Sequence, residues 1–218
     1  VSRDAAKYAK LVAIVQRCGT VYSRIKMHKI LYVLKSLGYP VQERFEYADF
    51  GPYSGDLSAE LRSSVNANYL QEDATATEEA EDEEPYRRYD YSVGPRGSEF
   101  VADTFALDPT LAAVADGMAV VAEELNGSPP TRLELVATLM YFQDLNTPAD
   151  LLVRVLQGNK PHFTETEVRG AIQYITDLRA RATFTPPPDF SSIIGIVKEG
   201  PPSNAAEDLD EEIYGGGE

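Results

Sequence analysis

Between Ser23 and the Gly38-Tyr39-Pro40 stop, apolar residues fall at Met27, Ile30, Leu31, Leu34 and Leu37. This is the i, i+3, i+4, i+7 return of a helix with one buried face. Ser23 supplies an N-cap oxygen and the glycine and proline end the run. The chain must therefore build a core against this stripe. Arg24, Lys26, Lys29 and Lys35 fall largely off it, which predicts that they face water or a partner. A first helix is predicted from about Asp4 to Cys18, with Tyr8, Leu11, Val12 and Val15 on one side and Gly19 as its stop.

Downstream the punctuation stays helical, with one β interlude. Val41 to Phe50 alternates loosely through Val41, Phe45 and Tyr47, Phe50-Gly51-Pro52-Tyr53-Ser54 reads as a turn, and Ser54 or Ser58 can cap a third helix toward Tyr69. An acid-rich loop leads to a tyrosine-rich strand over Tyr86 to Val93. Gly94 to Gly97 breaks it, and Ser98 opens a helix through Phe105. This order predicts a winged-helix-like domain over residues 1–106, with a small β-hairpin and an acidic insert at 71–85. Residues 107–183 read as a helical bundle. Asp108-Pro109 opens its first helix, to about Leu125. Thr131 with Glu134 reads as a capping box before a helix apolar nearly all round. Thr147-Pro148 starts a short helix to about Leu156. Thr164 with Glu167 is a second box, leading the stripe Val168, Ala171, Ile172, Ile175 and Leu178. Residues 184–218 read as a Pro-rich linker and an acidic, disordered tail, apolar only at Ile193 to Val197 and at Leu209, Ile213 and Tyr214. The fold class is mainly α with a small β-hairpin.

The net charge of −15 is not spread evenly. Glu72 to Glu84 holds eight acids and no base, and Glu199 to Glu218 holds seven acids and no base; the remainder balances 20 acids against 20 Lys and Arg. A neutral body carrying two acidic segments suits a basic partner.

Catalytic constellations do not emerge. His28 and His162 are far apart in sequence, and His28 reads as a surface or half-buried side chain on a basic helix. Cys18, the one cysteine, excludes an internal disulfide, fits a reducing compartment and reads as a core-edge thiol. The glycines lack a phosphate-binding context, and the acidic run lacks the order of a calcium loop. No enzyme activity, cofactor or metal is expected. No run approaches a membrane span and no signal-peptide run opens the chain, which predicts a cytoplasmic protein without membrane contact.

The segment Lys26-Met27-His28-Lys29-Ile30-Leu31-Tyr32, followed by Phe50-Gly51-Pro52-Tyr53-Ser54, resembles the signature of YwgA-like bacterial proteins. Those are similar in turn to the Panacea domain of SocA-type antitoxins. The resemblance implies a non-enzymatic adaptor or antitoxin that binds a toxin or client protein. Arg24, Lys26, Lys29, Arg62, Arg87 and Arg88 are the candidate contacts to a partner or to DNA, and Leu209, Ile213 and Tyr214 form a candidate docking tail. A winged-helix DNA-binding regulator is the alternative; it requires Arg24, Lys26, Lys29 and Arg62 to share one exposed face. Homodimerisation through Val168 to Leu178 is a further option, because that stripe needs a cover.

Overall fold

The structure, a computed structural model, describes residues 1–76 and 87–186. Among them it shows eight helices and four short strands, and Val1–Thr185 forms one compact unit. The architecture is mainly helical, with two small antiparallel hairpins.

Helix α1 (Arg3–Cys18) is capped by Ser2, whose hydroxyl accepts the Ala5 N–H at 3.2 Å, and closes at Gly19. It lies along α5 (Pro109–Asn126) and α4 (Gly97–Leu107). Helix α2 (Arg24–Ser36) starts at Ser23, whose hydroxyl accepts the Lys26 N–H at 3.1 Å. Here the expected single stripe is corrected, because every residue from Lys26 to Leu34 is buried. Helix α6 (Pro130–Asp144) packs on one side of α2 and α5 on another, with both hairpins closing against it. Burial of Leu135 to Met140 also makes α6 a central element, as its apolar circumference predicts. The stretches 1–106 and 107–183 thus share a core, through α1 on α5 and α2 on α6.

The first hairpin joins β1 (Glu46–Ala48) to β2 (Gly51–Tyr53), with Glu46 opposite Tyr53, Tyr47 opposite Pro52 and Ala48 opposite Gly51. The expected long strand and following turn are both displaced: the turn is Asp49-Phe50, and Gly51-Pro52-Tyr53 is a strand. Gly51 makes this workable, with φ +91° and an ideal Cβ position only 2.7 Å from Thr138 Oγ1. Tyr47 seats the hairpin on α6, its ring centroid 5.5 Å from that of Tyr141 and 5.4 Å from that of Phe142.

Ser54 caps α3 (Gly55–Asn66), accepting the Leu57 N–H at 3.1 Å. The second hairpin pairs β3 (Leu70–Ala76) with β4 (Arg87–Val93), in register from Leu70 opposite Val93 to Ala76 opposite Arg87. The first part of the acid-rich stretch, Glu72 and Asp73, is therefore strand rather than loop. A backbone bridge between Val21 and Tyr91 ties β4 to the chain ahead of α2.

In the second half, Asp108 caps α5 as predicted, accepting the Leu111 N–H at 2.9 Å with Pro109 at the first helical position. The Thr131–Glu134 capping box is not formed. Helix α6 begins at Pro130 without a side-chain cap, and Glu134 instead pairs with Lys160 at 2.9 Å. The short helix α7 (Leu152–Asn159) begins after the predicted Pro148, beyond a turn closed by the Leu151 N–H on the Pro148 carbonyl. The Thr164–Glu167 box at the start of α8 (Glu165–Ala182) is complete. Val168, Ala171, Ile175 and Leu178 are buried against α6 and α7 of the same chain, so this stripe already has its cover. Among the described residues no helix is long and apolar enough to cross a membrane.

Candidate functional site

The two halves of the sequence motif meet in space. Burial of α2 carries its polar residues into the molecule, and each finds a partner there. His28 is 1% exposed rather than at the surface. Its Nδ1 accepts the Ser54 N–H at 3.0 Å, its Nε2 lies 3.2 Å from Ser58 Oγ, and its ring stacks on Tyr53 at 4.4 Å. An Nδ1 that accepts from backbone leaves the proton of the neutral ring on Nε2. His28 therefore donates to Ser58 and cannot take its proton. Burial, then the charges of Lys29 and Arg24, push its pKa down to about 4. Ser58 Oγ lies 2.9 Å from Tyr53 Oη, so Tyr53 is held by both its ring and its hydroxyl.

Lys29 and Lys26 are corrections to the outward placement expected for them. Lys29, 3% exposed, donates its ammonium to the Phe50 carbonyl; Lys26, 8% exposed, donates to the Asn126 carbonyl at the end of α5. Their stems cover apolar surface while their ammonium groups satisfy carbonyls at a turn and a helix end that have no ladder partner. Lys35 does the same for the Glu43 carbonyl at 2.5 Å, and Lys160 for the Asp49 carbonyl. Both carbonyls of the Asp49-Phe50 turn are thereby held by lysines from separate parts of the fold. Burial pulls the Lys29 ammonium down to about 8, with Glu134 opposing the shift and Lys160 adding to it. Thr138 Oγ1, facing Gly51, has no partner among the described residues.

The other candidate contacts do not join these lysines on an exposed face. Arg24 donates to Tyr91 Oη at 2.9 Å and to Glu72 at 2.8 Å, and lies 4.5 Å from the Tyr89 ring centroid. Arg88 grips Asp90 through Nε and Nη2 at 2.9 Å and lies 5.7 Å from the Tyr22 ring centroid. Arg62 is exposed on α3. Arg87 sits on β4 with its side chain outside the described residues, as are Leu209, Ile213, Tyr214, residues 77–86 and the acidic run from Glu199.

What points outward instead is aromatic and acidic. Phe50 is 59% exposed and Tyr53 44% exposed, with Glu46, Asp49 and Asp56 exposed around them. From Glu46 to Asp56 the chain has no Lys or Arg, while exposed Arg44 just before it donates its backbone N–H to Asp56 at 3.2 Å. The sequence reading missed this surface because it took Phe50 to Ser54 as a turn alone; the available signal was a bulky aromatic placed between Asp49 and Gly51. Lys160 and Glu134 were also missed, since their pairing depends on tertiary contact.

Two other polar places are closed. Glu43 and Glu60 are both buried, and Oε2 of each has no hydrogen-bond partner among the described residues. Burial first, and Glu43 second, push Glu60 up to about 7 against the opposing pull of Lys7. Burial raises the Cys18 thiol to about 11, far from a reactive thiolate. Among the described residues, no group of three or more His, Cys, Asp or Glu side chains could hold a metal ion.

No protein-family model matches the chain. Uncharacterized protein YwgA of Bacillus subtilis (strain 168) is 28% identical over 174 residues, which covers 79% of this chain and 96% of the relative. The similarity runs through nearly all of the relative, in keeping with the YwgA-like resemblance of the α2 and hairpin motif.

Proposed function

We propose that this chain is a non-enzymatic protein-interaction module, adaptor- or antitoxin-like, that holds a basic protein partner. The observation that carries this reading is the direction of the charges around the motif. Lys26, Lys29, Lys35 and Lys160 are spent on backbone carbonyls, while Glu46, Asp49 and Asp56 face solvent beside exposed Phe50 and Tyr53. Aromatic side chains on a preorganised element are the usual anchors of protein interfaces. The acidic segments counted in the sequence add attraction for a basic partner.

The order α1, α2, β1, β2, α3, β3, β4, α4 supports reading the N-terminal part as winged-helix-like with a short hairpin between α2 and α3, and α5 to α8 as a bundle around it. The DNA-binding alternative required an exposed basic face. It loses that support, because Lys26 and Lys29 are inside and Arg24 is paired with Glu72. An acidic hairpin would also repel a phosphate backbone.

Affinity capture by the full chain from a lysate of its native host, with graded salt elution, tests the reading. A basic protein that binds the purified chain directly, and more weakly as salt rises, is the expected outcome. Recovery of one specific DNA fragment in its place would overturn it.

A further inference from the structure

Resting on the protein-binding reading, we propose that the partner docks on the β1–β2 hairpin through a segment bearing arginine or lysine, laid across Phe50 and Tyr53 and paired with Glu46, Asp49 and Asp56. Three observations lead there. The register places Glu46 directly opposite Tyr53, so a carboxylate stands beside an exposed aromatic ring. A long basic side chain suits that pair: its stem covers the ring, its cation meets the ring's negative face, and its head reaches the carboxylate.

The second observation is what lies beneath. Tyr53 stacks on His28, whose Nδ1 accepts a backbone N–H and whose ring is therefore neutral. The group in direct contact beneath Tyr53 therefore carries no charge, with Lys29 and Arg24 the cations next behind it. Lys29 donates to the neutral Phe50 carbonyl and Lys160 to the Asp49 carbonyl and Glu134, so Glu134 is the carboxylate that both ammonium groups share. The Lys160 ammonium does lie 5.9 Å from the Phe50 ring centroid, which leaves Tyr53 as the better cation platform and Phe50 as the apolar anchor.

The third is rigidity. The turn is fixed by two lysines, Tyr53 by a stack and a hydroxyl contact, and Gly51 by its left-handed backbone against Thr138. Little ordering remains to oppose binding at these residues.

The test is fluorescence anisotropy of a labelled peptide of alternating arginine and leucine against the full chain, with a glutamate–leucine peptide as control. F50S and E46K, both at exposed positions, are each expected to weaken the arginine peptide by about tenfold, as for truncation of a central anchor. Removal of residues 77–84 and 199–218 is expected to weaken it by less than about threefold, the scale of a rim charge effect. Thermal melts of F50S and E46K within a few degrees of wild type show that the fold is kept. If both variants bind like wild type while the deletions abolish binding, the hairpin site is wrong and the basic-partner reading stands. If the chain does not prefer the arginine peptide at all, both are overturned.

Discussion

Lys29 shows how far a single residue can depart from the helical wheel. Its position off the apolar stripe implied solvent, yet its ammonium lies inside on the Phe50 carbonyl. The wheel identifies only the most apolar face, and α2 is covered on every side from Lys26 to Leu34. Lys29→Met keeps the stem and removes the donor. It leaves a carbonyl at the turn without its partner, and is expected to cost about 1–3 kcal/mol in urea unfolding. Gly51→Ala acts on the same turn by another route. Its φ of +91° and the 2.7 Å approach of Thr138 Oγ1 predict a loss of about 1–3 kcal/mol. Circular dichroism melts of the two variants measure both losses, and wild-type stability for Gly51→Ala would disprove the strain assigned to that position.

At the scale of elements, what could be read from the sequence was what local hydrogen bonds decide. Ser23, Asp108 and the Thr164–Glu167 box cap their helices as expected, because donor and acceptor lie within one turn. The Thr131–Glu134 box fails because Lys160, brought in from beyond α7, takes Glu134. Missing β3 has a similar cause: Leu70 to Ala76 has Thr75 as its one β-branched residue and no aromatic, so it forms by pairing with β4 rather than by its own propensity. The candidate site was legible as a motif and not as a surface, since the inward turn of Lys26 and Lys29 exists only once α5 and the hairpin are in place.

The packing of α3 against its neighbours also sets a pH response with two opposing arms. Glu60 on α3 faces Glu43 from the loop before β1 and Lys7 and Lys10 from α1; its folded pKa of about 7 lies above the ordinary carboxylate value. Between those two values the folded state holds more protons than the unfolded, so this group's stability is lost as pH rises toward 7. His28 faces Ser54, Ser58 and Tyr53, with Lys29 and Arg24 on its own helix, and its folded pKa of about 4 lies below the usual 6.5. Here the unfolded state holds more protons between 4 and 6.5, so stability rises with pH. The two slopes oppose each other over most of the interval. Glu60→Gln is expected to leave a stability that rises from about pH 4 to 6.5, and His28→Gln one that falls as pH approaches 7. Urea midpoints measured at half-unit steps test the signs, and parallel profiles in the two variants would refute the assignment.

For the molecule as a whole, the decisive fact is that the early helices are buried by the late ones. A chain whose first 106 residues read as a complete domain still rests α1 on α5 and α2 on α6. The predicted consequence is that residues 1–106 do not fold alone. Uncovering even four aliphatic side chains on α1 and α2 costs about 1.5–3 kcal/mol each, or about 6–12 kcal/mol together. That is as large as the whole stability of an ordinary domain, about 5–15 kcal/mol. The full chain is accordingly expected to unfold in urea in one transition, coincident by far-ultraviolet circular dichroism and by tyrosine fluorescence, which is usable because the chain has no Trp. The 1–106 fragment is expected to show little helix and no cooperative transition. A fragment that melted cooperatively would mean that α1 and α2 close a core without α5 and α6, and the hairpin would then stand on an independent N-terminal domain.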